Sequence, residues 1–82
     1  MPCAVSHVCA GDIDPSHIQS RGAGGPDTVG NVIPLCRNLH NEWHRVGARP
    51  FYIKWKPLIR AYARERIERY LVWRGLIAKG AA

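Results

Sequence analysis

Two histidines four residues apart carry the clearest chemical signal in this 82-residue sequence. His40 and His44 lie in the stretch R-N-L-H-N-E-W-H-R-V-G, which predicts two to three helical turns closed by Gly47. Residues at i and i+4 leave the same face of a helix, so both imidazoles could bind one metal ion. The same spacing also occurs in pairs of surface histidines, so it needs support from the rest of the chain.

A third histidine supplies part of that support. His17 stands at the end of a predicted strand, immediately before the glycine-rich loop Q-S-R-G-A-G-G-P-D-T-V-G. Leu39 and Trp43 form an apolar stripe beside the histidine pair, which predicts a buried helix with the imidazoles on its rim. A strand end that faces the rim of a helix is a natural place to build a site.

The elements that must position these residues are short. The stretch V-S-H-V-C-A-G-D-I-D-P-S-H-I predicts a strand, a turn at residues 10–12 and a second strand ending near Ile18. In N-V-I-P-L-C, Pro34 argues against a central strand and against the middle of a helix. Pro57 suits the first turn of an amphipathic helix that reaches about Arg74. Its predicted apolar stripe consists of Ile59, Tyr62, Ala63, Ile67, Tyr70 and Leu71.

Composition and charge limit the classes of function. The length predicts one domain, and no apolar run approaches the roughly 20 residues that span a bilayer, so we expect no membrane partner. The N-terminal residues do not resemble a signal peptide, and three cysteines argue against a closed disulfide framework, so we expect a cytoplasmic protein. The formal charges of residues 1–45 sum to −1, and those of residues 46–82 sum to +7. A basic half of this kind predicts a polyanionic partner, with DNA as the first candidate, although a solvated helix face would also explain it.

The ordered set S-H-I, N-V-I-P-L-C-R-N-L-H and E-W-H resembles the HNH endonucleases, the ββα-metal nucleases. It is most similar to a compact phage-type branch that contains D-P-x-H-I, G-x-G-G, N-x-x-P-L-C and H-x-x-x-H. The resemblance covers residues 3–51 and implies an α+β fold. Its ββα-metal core would be a β-hairpin and a short helix, with residues 52–82 as a basic, amphipathic C-terminal helical extension of the same single domain, 1–82. It also implies a phage or prophage origin in a bacterial host.

The resemblance implies a hydrolase that cleaves DNA phosphodiester bonds with one divalent metal ion, such as Mg²⁺, Mn²⁺, Zn²⁺ or Ni²⁺. By this resemblance His17 is the general base, His40 is a catalytic metal ligand and His44 is an additional ligand. Asn31 matches the central Asn of the motif, and we expect it to orient the base. The alternative is a non-catalytic nucleic-acid-binding phage accessory module that retains the HNH fold.

Two departures from the family pattern concern metal ions. Ser16 stands where many members have a ligand, and Asp14, two residues earlier on the same strand face, could either replace that ligand or serve as a turn residue. Many members also hold a structural zinc with two C-x-x-C pairs, of which only Cys3 and Cys36 remain. A set completed by His7 and Cys9 has unusual spacing, so we expect small buried thiols and no structural zinc.

Basic residues outside the motif are the candidates for DNA contacts. Arg21 lies in the glycine-rich loop, where it could reach a phosphate or simply be solvated. The expected contacts on the C-terminal third are Lys54, Lys56, Arg60, Arg64 and Arg66. The aromatic residues of the last helix are expected in the core or at a subunit contact, which leaves a homodimer open.

Overall fold

Two antiparallel strands form the sheet in the part of the chain that the structure describes. The structure, a computed structural model, describes residues 2–6, 9, 11–20, 22, 24–25 and 29–78. Strand β1 spans Ile13–His17 and strand β2 spans Val32–Cys36, and the register pairs Ile13 with Cys36 and His17 with Val32. A 3-10 turn at Val29–Asn31 leads into β2.

This pairing corrects the predicted hairpin, whose two strands were expected within residues 5–18. Pro34 is in fact inside β2, directly opposite Pro15. Two prolines can face each other at a non-hydrogen-bonded pair, where neither backbone points at the partner strand. The carbonyl of Pro34 points outward instead and accepts a hydrogen bond of 2.7 Å from the Ala4 N–H. The first predicted strand is reduced to one bridge between Val5 and Ile59, and His7, Val8 and Ala10 lie outside the described residues.

Three helices follow β2. Helix α1 spans Arg37–Val46, α2 spans Ala48–Trp55, and α3 spans Ala61–Trp73, with a 3-10 turn at Lys56–Leu58 before α3. Gly47 separates α1 from α2 at φ 90°, a conformation that favours glycine, so the predicted end of α1 is confirmed. The stretch that forms α2 carried no predicted element. No helix in the described part of the chain is long and apolar enough to cross a membrane.

The last helix begins later than predicted. Ile59 is extended, at φ −73° and ψ 127°, and forms the bridge with Val5. The Arg60 N–H then donates a 2.8 Å hydrogen bond to the carbonyl of Ala4. Because residues 59–60 pair with the N-terminal segment in an extended conformation, α3 starts at Ala61 instead of near Pro57.

One hydrophobic core joins all these elements. It includes residues from the N-terminal segment, from β2, from the position just after β1 and from all three helices, among them Val5, Ile18, Ile33, Leu35, Leu39, Trp43, Phe51, Ile67 and Leu71. Of the predicted α3 stripe, Ile59, Ala63, Ile67 and Leu71 are buried, whereas Tyr62 is 39% exposed. The α+β class is thus confirmed, and a two-stranded hairpin followed by a helix is compatible with a ββα core.

Candidate functional site

His40 and His44 face each other on α1. Their Nε2 atoms are 3.1 Å apart, and the rings meet edge to face. Two nitrogen ligands of one tetrahedral zinc ion, each with a bond of about 2.0–2.1 Å, are separated by roughly 3.3 Å. Cis ligands of an octahedral ion with bonds of about 2.1 Å are separated by roughly 3.0 Å. The spacing of the two nitrogens therefore suits two ligands of one ion.

The imidazole of His40 is held in the neutral form. Burial lowers its pKa, and the neighbouring His44 lowers it further. The carboxylate of Asp14 acts to raise the pKa of His40, whereas Arg37 and His17 act to lower it. A metal-binding histidine must be unprotonated, so His40 is in the ligand form at neutral pH.

Asp14 is bound by a residue that the sequence analysis did not single out. The Arg37 guanidinium donates hydrogen bonds of 2.6 Å from Nε and 3.2 Å from a terminal nitrogen to the two carboxylate oxygens of Asp14. Hydrogen bonding from Arg37 lowers the pKa of Asp14, so the carboxylate is ionised. Arg37 stands three residues before His40, a spacing that places both on one side of α1 and could have indicated its position.

The strand register divides the neighbouring residues between two faces of the hairpin. Asp14 and Ser16 share a face with Ile33 and Leu35, since paired residues of an antiparallel ladder point the same way. The Ser16 hydroxyl on this face is buried and has no hydrogen-bond partner among the residues that the structure describes. The same holds for Nδ1 of His40.

His17 ends β1 on the opposite face, where the register pairs it with Val32. It is half-buried, and it lies close enough to His40 to influence the pKa of that imidazole. Asn31 secures the chain just after His17. Its Oδ1 accepts a 2.8 Å hydrogen bond from the Gln19 N–H, its Nδ2 donates one of 3.0 Å to the Gln19 carbonyl, and its own carbonyl accepts one of 2.8 Å from the Ile18 N–H.

A second group of potential metal ligands lies outside the histidine pair. The sulfur atoms of Cys3, Cys9 and Cys36 all lie within 4.8 Å of one another and could bind a metal ion. Desolvation and hydrogen bonds with Cys36 and Cys3 raise the pKa of the Cys9 thiol to about 12. Of the expected buried thiols, Cys3 and Cys36 are buried, whereas Cys9 is exposed. His7, which could complete the set, lies outside the described residues.

The two lysines proposed for DNA contacts both have partners within the protein. Lys54 forms a 3.2 Å ion pair with Glu42, and its ammonium is 5.0 Å from the centre of the Trp55 ring. Lys56 lies over the Tyr52 ring at 5.5 Å. Both lysines are therefore tied to α2 and its neighbours, while their charges stay at the surface.

The arginines proposed for DNA contacts, on α3 and just before it, also have partners within the protein. Arg60 donates to the Cys3 carbonyl at 3.0 Å, and Arg66 donates to the Val32 carbonyl at 3.0 Å. Arg64 pairs with Glu68 at 3.9 Å. Arg21 lies outside the described residues.

Comparison with known proteins adds no relative to this picture. No family model, curated protein or solved structure matches the chain.

Proposed function

We propose that this chain is a metal-dependent endonuclease that hydrolyses DNA phosphodiester bonds, as its resemblance to the HNH nucleases implies. The observation that carries the proposal is the pair of Nε2 atoms, 3.1 Å apart, on His40 and His44. The lowered pKa of His40, which favours its neutral form, and the proximity of His17 support it further. The basic C-terminal half supplies the charge expected of a DNA-binding protein.

Each residue has a role that its position permits. His40 and His44 would hold one divalent ion, which when bound supplies positive charge to the scissile phosphate and the leaving oxygen. His17 accepts a proton from the attacking water. Asn31 fixes the backbone at Gln19 and so limits where the end of β1, and with it His17, can move.

Metal-dependent nicking of a supercoiled plasmid tests this proposal. We expect the parental protein to convert supercoiled DNA to the nicked form with a divalent ion and to fail with excess chelator. His17→Ala should lose nicking but keep metal binding and DNA binding, because its proposed role is proton transfer. A His17→Ala variant that nicks at the parental rate would show that the catalytic assignment is wrong.

One observation favours the alternative, a non-catalytic nucleic-acid-binding module. Ser16, at a position where many HNH nucleases have a ligand, offers only a buried hydroxyl, and the Asp14 carboxylate beside it is held by Arg37. A module of this kind would bind plasmid DNA without nicking it under any divalent ion. The plasmid assay, combined with a gel-shift measurement, therefore separates the two functions.

The three clustered thiols extend the proposal to a second, structural metal ion. Four thiolate or imidazole ligands at about 2.0–2.3 Å are typical of structural zinc sites. Here Cys3, Cys9 and Cys36 would supply three of these ligands. Burial and the neighbouring thiols oppose ionisation of Cys9 and raise its pKa to about 12, and a bound ion would instead favour the thiolate. The site would tie the N-terminal segment to the junction between β2 and α1.

The metal content of the purified protein tests the thiol site. We expect about one zinc ion per chain and, after replacement with Co²⁺, the charge-transfer absorption of thiolate-bound cobalt. Cys9→Ser should remove most of that absorption, and its exposed position makes it the variant that best tolerates substitution. Absence of bound metal, or unchanged cobalt absorption in Cys9→Ser, would show that the thiols are only packed together.

A further inference from the structure

A groove of about 700 Å³ opens on the outer face of the hairpin. Its floor and walls are largely apolar and come from the N-terminus, both strands and α3: Pro2, Ile13, Asp14, Pro15, Val32, Pro34, Tyr62 and Arg66. Cavities of this size bury drug-sized ligands, a class that includes nucleosides. Of its lining residues, only Asp14 and Arg66 were assigned a possible role above.

The groove lies on the same side of the hairpin as His17. Val32, which lines the groove, is the register partner of His17, and Pro15 and Pro34 form the next pair along that face. A phosphodiester placed at His17 would therefore have an adjacent nucleotide beside the groove.

Tyr62 and Arg66 form the wall of the groove that α3 supplies. The Arg66 guanidinium lies over the Tyr62 ring, 5.0 Å from its centre, and donates a 3.0 Å hydrogen bond to the Val32 carbonyl. The Tyr62 ring is 39% exposed although it was predicted to pack in the core. Aromatic rings and guanidinium planes are the two kinds of surface on which proteins stack unpaired bases.

The charge at the groove matches a nucleotide. Asp14 is neutralised by Arg37 through two hydrogen bonds, whereas Arg66 contacts a neutral backbone carbonyl. The lining and Arg37 taken together therefore carry one positive charge in excess at the edge of an apolar surface. That combination suits an uncharged ring joined to an anionic phosphate.

We propose that this groove binds an unpaired nucleobase next to the bond that is cleaved, with Tyr62 and Arg66 as the stacking surface. This inference rests on the proposed nuclease function and names its substrate class: DNA with an unpaired nucleotide at the scissile phosphate, as in single strands, flaps or distorted sites. A base held within an intact duplex enters such a groove only if it is flipped out of the stack, which costs unpairing and unstacking energy that an unpaired base does not pay.

The test compares two oligonucleotides of equal charge. One is an oligothymidylate of about 12 nucleotides, a length within the usual range for single-strand binding, and the other has the same backbone without bases. Binding is measured by fluorescence anisotropy with the full chain and no added divalent ion, so that cleavage is suppressed while any tightly bound structural ion stays in place. We expect the thymidylate to bind at least about fivefold more tightly, the effect of one stacked base.

Variants on α3 locate the effect. Tyr62→Ala should abolish the preference for bases, while Tyr62→Phe should keep it, because the ring is retained. Trp73→Ala is the matched control, since Trp73 is an aromatic residue on the same helix, 68% exposed and absent from the groove lining. It should bind both oligonucleotides as the parental protein does.

The results separate this inference from the nuclease proposal. Equal binding of the two oligonucleotides, absence of binding to either, or a preference lost in Trp73→Ala instead of Tyr62→Ala would each overturn it. So would a parental dimer that Tyr62→Ala dissociates without changing the preference for bases, since a second copy would then occupy the groove. Base-dependent binding without plasmid nicking would keep the groove assignment and remove the nuclease, and nicking without base dependence would do the reverse.

Discussion

The side-chain amide of Asn31 forms two hydrogen bonds with the backbone of Gln19, one to its N–H at 2.8 Å and one to its carbonyl at 3.0 Å. Asn31 is 9% exposed, so both bonds are shielded from water. Gln19 is two residues beyond His17, and the link therefore closes the chain around the end of β1. An amide can satisfy a backbone donor and acceptor at once, which neither a carboxylate nor a hydroxyl of similar size does as well.

Removal of this amide should affect both stability and catalysis. Asn31→Ala loses two hydrogen bonds and leaves shielded backbone groups unpaired, so we expect the free energy of unfolding to fall by about 1–3 kcal/mol. Asn31→Asp keeps only the hydrogen-bond acceptor, so its free energy of unfolding should lie between those of the parental protein and Asn31→Ala. Urea denaturation measures the first effect, with the exposed Asn38→Ala as a control that should match the parental protein. Plasmid nicking should fall further than the folded fraction does, whereas a parental rate in fully folded Asn31→Ala would refute the orienting role.

The histidine pair predicts a specific pattern of metal affinity. Replacing either His40 or His44 with Ala removes one of two proposed ligands. Even residues that only support ligands cost about 10–100-fold when lost, so each variant should lose at least about tenfold in affinity for Zn²⁺ or Ni²⁺. Isothermal titration calorimetry measures this loss against Asn41→Ala, an exposed residue of the same helix. Parental affinity in both histidine variants would mean that the 3.1 Å contact is not a metal site.

A different carboxylate, Glu42, should make the stability depend on pH. It is 9% exposed and accepts a 2.9 Å hydrogen bond from the Trp55 ring, beside the Lys54 ammonium. Burial acts to raise the pKa of Glu42, but these two partners outweigh it and hold the pKa below the usual 4.5. Glu42 therefore binds a proton more readily in the unfolded chain than in the folded protein. The stabilisation that ionised Glu42 provides above pH 4.5 is lost as the pH falls through the lower pKa of the folded state.

Glu42→Gln tests this dependence. The amide can still accept from Trp55 but no longer pairs with Lys54, so we expect a loss of about 1–2 kcal/mol at pH 7. In acid the difference between the parental protein and Glu42→Gln should disappear, because protonated Glu42 is also neutral. Glu65→Gln, at the exposed pair with Arg69, is the control and should stay within about 0.5 kcal/mol at every pH. A Glu42→Gln effect that persists undiminished in acid would contradict the assignment.

Local patterns predicted α1 well because its signals all agree. Leu39 and Trp43 mark the buried side, the histidines mark the rim, and Gly47 ends the helix at a positive φ. The spacing of His40 and His44 was therefore enough to place their rings together. The 2.9 Å ion pair of Glu65 and Arg69 on α3 likewise has an i, i+4 spacing that is visible in the sequence.

Contacts between distant segments could not be predicted in this way. Pro34 argues against a strand when considered alone, and only its position opposite Pro15 makes β2 compatible with it. The start of α3 depends on Ala4 and Val5, which lie more than 50 residues earlier. The thiols of Cys3, Cys9 and Cys36 likewise meet through tertiary folding, and their sequence spacing matches no common metal motif.

The salt dependence of DNA binding tests the basic C-terminal half. Each phosphate contact releases counterions and contributes a slope of roughly −0.9 to log affinity against log salt concentration. Replacing Arg60, Arg64 and Arg66 together with Gln should weaken binding to unrelated sequences alike and flatten that slope by up to about 3 units. Because Arg60 and Arg66 also hydrogen-bond to backbone carbonyls, urea denaturation must show that the triple variant is folded. The matched control replaces the same three residues with Lys, which keeps the charge and should keep the slope. A folded Gln variant with the parental slope would mean that these arginines do not touch DNA, and that their charge serves only to solvate the surface of α3.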